Sequence, residues 1–269
     1  MTAVQSKDGT KIAYEKSGTG PTLILVDGAL CYRAFGPTPK LVPMLTNKFS
    51  VFTYDRRGRG ESGDGKNYDV QLEIDDLNAL IEVAGGSASV LSFSSGAALA
   101  LEAANRGSAI EKLALYEPPF ITDNSRTPTP DDFIPRLKEM IAEDRRGDAV
   151  RHFMRLVGMP LVMVHAMRFF PGWRKLKAVS HTLPNDLAIV YEHQKGKPLP
   201  RGRWSSASMS TTVLEGGKSP GWMRNSMKAL ADVLPNASLK TLEGQTHMVK
   251  PGVLAPVLKT LLSGDMPSS

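Results

Sequence analysis

An apolar run, Ala88-Ser89-Val90-Leu91, and a small-residue run, Ala97-Ala98-Leu99-Ala100-Leu101-Glu102-Ala103-Ala104, are separated by only five residues, Ser92-Phe93-Ser94-Ser95-Gly96. The pattern reads as a buried strand, a sharp turn and a helix. Strand and helix cross at close range in such a turn, so the positions two before and two after its apex must be small. Ser92 and Gly96 meet that need. The apex residue is exposed above the sheet in a strained conformation, with the N-terminus of the new helix beneath it, which makes Ser94 a candidate nucleophile. The usual form of this turn is G-x-S-x-G, and here serine stands at the first glycine position.

The rest of the chain agrees with a sheet of this kind. Lys11-Ile12-Ala13-Tyr14-Glu15 alternates in polarity, as an antiparallel strand does. Leu23-Ile24-Leu25-Val26, Val51-Phe52-Thr53-Tyr54 and Leu113-Ala114-Leu115-Tyr116 are continuous apolar runs, as in strands covered on both faces. Val70, Ile74, Leu77, Ile81 and Ala84 fall on one helix face that Gly85-Gly86 ends, predicting a crossover helix. The alternation predicts an α/β fold with a doubly wound, mostly parallel sheet. After Pro118-Pro119 strand patterns stop, and 122–204 carries helical spacings, such as Phe133, Leu137, Met140 and Ile141, broken at Pro160, Pro171 and Pro184. This stretch reads as an inserted helical lid. Strand patterns return at Ser210-Thr211-Thr212-Val213-Leu214 and Ser238-Leu239-Lys240-Thr241-Leu242, with a helix through Trp222, Met227, Leu230 and Val233 between them and another over 253–262. The expected division is a first core segment, 1–119, a cap, 120–206, and a second core segment, 207–269. Its last residues, 264–269, read as a frayed tail.

Composition excludes several other classes. The chain has 269 residues, 41% hydrophobic and 22% charged, which is ordinary for a globular protein with a sizeable core. Its one cysteine, Cys31, rules out an internal disulfide or a multi-cysteine metal site and reads as a small buried hydrophobe. The N-terminal residues lack a basic region followed by an apolar run, so a cytoplasmic location is expected. The most apolar stretch, 156–170, contains Pro160, His165 and Arg168 and is too short and polar to span a bilayer. The net charge of +6 is scattered, and nucleic-acid binding is not expected. Arg56-Arg57-Gly58-Arg59 and Trp173-Arg174-Lys175-Leu176-Lys177 read as solvated faces.

Ligands of an open α/β sheet sit at the carboxyl ends of its strands. Asp27-Gly28-Ala29-Leu30 follows one strand, Ser94 a second, Glu117 a third, and His247, in Gly244-Gln245-Thr246-His247-Met248, the last. A serine nucleophile needs a base, and a neutral imidazole oriented by a carboxylate is suited to it. Ser94, His247 and Glu117 can fill those three roles. The backbone N–H groups of Ala29 and Ser95 are candidates for an oxyanion hole.

These segments, together with the loop Tyr54-Asp55-Arg56-Arg57-Gly58-Arg59-Gly60-Glu61-Ser62-Gly63 and Leu115-Tyr116-Glu117-Pro118-Pro119, resemble the α/β-hydrolase superfamily, in particular small bacterial serine hydrolases with a helical cap. The resemblance covers nearly the whole core and is weak in the cap. It implies hydrolysis of an ester, lactone, thioester or similar acyl bond through a serine-bound intermediate, with neither metal nor organic cofactor. Serine at the apex disfavours the epoxide hydrolases and haloalkane dehalogenases of this fold, which use aspartate there. Many relatives carry the triad acid after the strand at 211–214, where this chain has Glu215-Gly216-Gly217-Lys218-Ser219-Pro220 and no aspartate. Glu117 is therefore the preferred acid and Glu215 the second choice. Asp27 stands where relatives have histidine or glycine. A carboxylate there disfavours an oxyanion unless it points away or is paired, with Arg56 or Arg57 as candidate partners.

The lid is rich in methionine and aromatic residues, which suit an apolar substrate of variable outline. Leu30, Phe93, Met159, Met163, Phe170 and Trp222 are the candidate substrate contacts, for a small to medium apolar ester or lactone. A non-hydrolytic binding protein and a cofactor-free lyase or C–C hydrolase on the same fold remain alternatives, and a homodimer is compatible with the sequence.

Overall fold

The structure is a computed structural model that describes residues 2–65 and 67–262. The tail at 264–269 lies outside the described residues. One sheet of eight strands organises the chain, in the order β1-β2-β4-β3-β5-β6-β7-β8. Strands β1 (Thr2–Gln5) and β2 (Lys11–Ser17) are antiparallel additions at one edge. The six others, β3 (Thr22–Val26), β4 (Ser50–Tyr54), β5 (Ala88–Phe93), β6 (Ile110–Tyr116), β7 (Ser210–Gly216) and β8 (Ala237–Leu242), run parallel. From β3 the chain moves to one side to form β4 and then returns past β3 to form β5. That reversal is the doubly wound arrangement expected from the strand pattern, and it puts the topological switch point between β3 and β5.

Parallel strands must be covered on both faces, because each buries side chains above and below the sheet. On one face α1 (Thr38–Leu45) and α10 (Pro251–Leu262) supply Leu41, Leu45, Leu254, Leu258 and Leu262, which pack on Leu23, Leu25, Leu91 and Leu214. On the other, α2 (Val70–Val83), α3 (Ser95–Asn105) and α9 (Gly221–Val233) pack on Ile24, Val26, Val90 and Val213. Helix α2 begins at the N-cap Asp69, whose side chain accepts from Gln71 N–H, and it stops before Gly85 and Gly86, both at positive φ. Two short elements, β1 and α1, were not anticipated from the sequence.

The helical insertion emerges between β6 and β7. It comprises α4 (Phe133–Ala142), α5 (Arg146–Leu156), α6 (Leu161–Ala166), α7 (Trp173–Val179) and α8 (Leu183–Val190), with 3-10 turns at Met167–Phe169, Ser180–Thr182 and Tyr191–His193. Pro160 is the N-cap of α6, and Pro184 falls in the first turn of α8, where its missing N–H costs nothing. Every residue of α3 except Asn105 is buried, since the sheet covers one side of this helix and α8 packs against it as well. Alanine and glycine dominate α3 for that reason: only small side chains let it approach both neighbours.

Candidate active site

Strand β5 ends at Phe93 and α3 begins at Ser95, so the five-residue turn of the sequence reading contracts to one residue, Ser94. Its backbone has φ 52° and ψ −124°, a region that costs a non-glycine residue on the order of 1–3 kcal/mol. The strain is held from both sides. Ser94 N–H donates to Tyr116 C=O at 2.9 Å, and Ser94 C=O accepts from Ala97 N–H at 2.9 Å. A serine at an N-cap ordinarily turns its hydroxyl back onto the first helical turn. Here the distorted φ prevents that, no side-chain cap forms, and Oγ stays available on a half-buried residue.

Close approach explains the small residues. A Cβ on Gly96 would lie 2.5 Å from Asp27 O and 2.6 Å from Val26 O, so the end of β3 passes directly against the first turn of α3. A Cβ on Gly28 would lie 2.9 Å from Ser94 Cβ, which places the loop after β3 beside the nucleophile candidate. At the other flanking position, Ser92 is fully buried and its Oγ donates to Ala114 C=O at 3.1 Å, so serine serves there in place of glycine. In that loop Ala29 is half-buried, while Leu30 is 2% exposed, sits at φ 62° and packs into the hydrophobic core.

Glu117, the residue after β6, is fully buried and also at positive φ, 46°. Its Oε2 lies 2.8 Å from His247 Nδ1, and its Oε1 accepts from Gly216 N–H at 2.8 Å. The carboxylate therefore accepts on both oxygens, which fixes the imidazole proton on Nδ1 and leaves Nε2 as the basic nitrogen. The His247 loop is tied down by Tyr116, whose hydroxyl donates to Thr246 C=O at 2.6 Å. Glu215 does not compete for this histidine. It lies within β7, which runs to Gly216, two residues beyond the Thr211-to-Leu214 reading, and its Oε1 accepts from Thr241 Oγ1 at 2.8 Å on the neighbouring strand.

Asp27 is neither free nor paired with arginine. It is 4% exposed, and its Oδ1 accepts from Thr38 Oγ1 at 2.7 Å. Burial pushes its carboxyl up to about 6, against the opposing pull of Thr38, Arg59 and Arg56. The arginines expected there are committed elsewhere, and the loop that carries them is not a solvated face: Arg56, Arg57 and Arg59 are all buried. Arg56 binds Glu73 through Nε (2.6 Å) and Asp186 through a terminal nitrogen (2.7 Å), and Arg57 binds Asp76 and Asp8. Arg59 binds Asp186 at 2.7 Å and donates to Gly28 C=O at 2.6 Å. Asp186 comes from α8 of the insertion and also accepts from Ser95 Oγ at 2.7 Å. Burial opposes its ionisation, but Arg59 and Arg56 hold its carboxyl below the usual range. Buried charges after β4 and on α8 thus brace Ser95 and the Gly28 loop beside Ser94. The sequence carried one signal of this: Asp186 is the only acidic residue between Asp148 and Glu192.

The remaining candidates are more dispersed. Phe93 is buried beside Tyr116, with ring centroids 6.1 Å apart. Trp222 is half-buried beneath the Arg126 guanidinium, 4.0 Å from its ring centroid, and Met159 is half-buried after α5. Met163 and Phe170 are 57% and 54% exposed, so their side chains are not consumed by packing within the insertion. Cys31 is half-buried and unpaired, and burial pushes its thiol up to about 12.

Comparison with known proteins agrees with this architecture. An alpha/beta hydrolase from Sphaerobacter thermophilus is 47% identical over 97% of this chain and 100% of its own, with a TM-score of 0.90. An enol-lactonase from Burkholderia xenovorans (20% identity, 90% of this chain and 91% of that one, TM-score 0.63) and an esterase from Thermogutta terrifontis (18%, 96% of each, TM-score 0.65) share the fold. No protein of curated function matches the chain. A sequence profile of the alpha/beta hydrolase family matches residues 18–256, and with its sheet order and its strained serine between β5 and α3 the chain belongs to that family.

Proposed function

We propose that this protein is a serine hydrolase that cleaves a carboxylic ester, lactone or related acyl bond of a small to medium apolar substrate through an acyl-enzyme. The observation that carries the reading is the His247-Glu117-Gly216 chain, in which a buried carboxylate orients one imidazole, at the same sheet edge as a strained serine whose hydroxyl does not cap its helix. In this mechanism His247 Nε2 takes the proton of Ser94 Oγ as that oxygen adds to the substrate carbonyl. The N–H groups of Ala29 and Ser95 receive the oxyanion. His247 then returns the proton to the leaving group as the acyl bond breaks, and water activated by the same histidine releases the acid and restores Ser94.

Residues 120–206 act as the cap in this reading, with the flanking segments, 1–119 and 207–269, as the catalytic core. Met159, Met163, Phe170 and Trp222, with Leu30 and Phe93 below, bound the substrate. The pairing of Asp27 with Thr38 supports hydrolytic competence, since the carboxylate is engaged by a hydroxyl on α1 rather than left free beside the oxyanion. The esterase and the enol-lactonase that share the fold act on the bond types proposed here.

The test is stoichiometric labelling by a fluorophosphonate probe, with the modified residue located by peptide mass spectrometry. Rapid modification at Ser94, lost in Ser94→Ala together with p-nitrophenyl ester turnover, is the expected result. Turnover that survives Ser94→Ala would remove the serine from the mechanism, and absence of both labelling and turnover would favour a binding protein or a lyase.

A further inference from the structure

From 149 to 185 the chain has no Asp or Glu, yet it carries six cations: Arg151, Arg155, Arg168, Arg174, Lys175 and Lys177. The same stretch holds a cluster of exposed apolar side chains. Leu161 is 54% exposed, Val162 82% and Phe169 77%, all on α6 and the 3-10 turn that follows it. Exposed apolar residues are ordinary when scattered and informative when contiguous. Here they are interleaved with charge, since the Arg168 guanidinium lies over the Phe169 ring, 4.7 Å from its centroid.

A basic concavity lies between α5 and α7, and α7 contacts the 3-10 turn that carries Phe169. A cavity of about 600 Å³ is lined by Arg146, Arg151, Trp173, Arg174 and Lys177, with Asp144 among them. Arg146 pairs with Asp144 and Arg151 with Asp148, whereas Arg174 and Lys177 have no carboxylate partner among the described residues. The cavity shares no residue with the Ser94-His247 edge. Trp173 and Arg174 join it to Phe170 and so to the apolar tip in sequence.

We propose that Leu161, Val162, Phe169, Arg174 and Lys177 form a docking surface for an anionic lipid bilayer, the three apolar side chains entering the boundary between headgroups and acyl chains and the two cations meeting anionic headgroups. A basic, aromatic and apolar surface of this kind is the signature of interfacial binding rather than of spanning. No helix among the described residues is long and apolar enough to cross a membrane. Charge selects this occupant. A second copy of the chain would bring like-charged surfaces together, and a neutral apolar partner would leave the cations uncompensated.

Co-sedimentation with phosphatidylcholine vesicles, and with vesicles of phosphatidylcholine and phosphatidylglycerol, tests the proposal on the full chain. Binding is expected only with the anionic vesicles, and it weakens with added salt. Val162→Ser and Phe169→Ser each lower the partition coefficient roughly tenfold, and Arg174→Ala and Lys177→Ala each lower it about fivefold. All four variants keep the wild-type melting temperature and their turnover of a water-soluble ester without vesicles. Ser94→Ala binds the vesicles as wild type does, so failure of the hydrolase reading leaves this result readable. Absence of binding, or equal binding to both vesicle types, overturns the proposal. So does a dimer in sedimentation equilibrium that Val162→Ser dissociates, which would make a second copy the occupant.

Discussion

Asp186 on α8 accepts a 2.7 Å hydrogen bond from Ser95, the first residue of α3 and the neighbour of Ser94. One buried carboxylate thereby links the helical insertion to the Ser94 turn while also holding Arg56 and Arg59. Removing one member of a buried charge cluster is costly because its partners stay buried and uncompensated. Asp186→Asn is expected to lower unfolding free energy by about 3–5 kcal/mol, measured by urea denaturation at neutral pH. A loss no larger than that of an exposed substitution would show that water already screens the cluster.

The second expectation separates two glutamates at neighbouring strand ends, Glu117 just after β6 and Glu215 one residue before the end of β7. Glu117 holds His247 and Gly216 N–H, and Glu215 holds Thr241. Glu117→Gln turns an acceptor oxygen into a donor amide and removes the charge that stabilises the imidazolium. A fall in kcat of about 10³- to 10⁴-fold is expected, with KM little changed. Glu215→Gln leaves the imidazole untouched and should change kcat by less than about tenfold. The reverse order in steady-state assays would move the acid to Glu215.

A third expectation concerns the exposed side of the insertion. Met163 and Phe170 are more than half exposed, so truncation there costs little packing and reads out substrate contact instead. Met163→Ala and Phe170→Ala should shift the preferred acyl chain length in kcat/KM across a p-nitrophenyl ester series. Profiles superimposable on wild type for both variants would place the acyl pocket elsewhere.

The parallel strands and the helices between them were legible because burial on both faces writes itself as unbroken apolar runs such as Leu23-Ile24-Leu25-Val26, and amphipathic spacing marks α2. The strand-to-helix turn at Ser94 was legible for a steric reason: Ser92 and Gly96 are small where two backbones nearly touch. What the chain did not disclose locally was pairing at long sequence range. Arg56 and Arg59 read as solvent-facing charge, yet their partner Asp186 lies 130 and 127 residues away, and only the docking of α8 on α3 brings it in. The partner of Asp27 was missed similarly, because Thr38 sits at the start of a helix whose short, proline-containing segment gave little periodic signal.

Close approach at the turn gives the fourth expectation. A methyl group on Gly96 would meet two backbone carbonyl oxygens, at 2.5 and 2.6 Å, and neither can rotate away as a side chain would. Gly96→Ala must therefore push α3 off the end of β3, and a loss of about 1–3 kcal/mol in stability is expected. Gly28→Ala meets Ser94 Cβ at 2.9 Å and displaces the loop proposed to receive the oxyanion. Its larger effect should be on kcat, with a smaller loss of stability than Gly96→Ala in thermal denaturation. Equal stability losses with unchanged kcat would detach Gly28 from the reacting centre.

Asp27 sets the last expectation, a pH dependence of folding. Burial raises its carboxyl from 3.8 to about 6, so the native state holds this proton more tightly than the unfolded chain does. Between those values the native state binds more protons than the unfolded state, and stability must fall as pH rises. The favourable contribution is complete below the unfolded value of 3.8 and is lost as pH climbs through about 6. A shift of this size corresponds to about 3 kcal/mol. Asp27→Asn keeps an oxygen that can accept from Thr38 Oγ1 and removes the titration. The difference in unfolding free energy, Asp27→Asn minus wild type, should thus grow in favour of the variant from pH 4 to pH 7, by about 3 kcal/mol, and level off above that. Urea denaturation curves at a series of pH values measure it directly. A difference that stays constant over this range would mean that Asp27 is ionised throughout, with Arg59 and Arg56 compensating its burial in full.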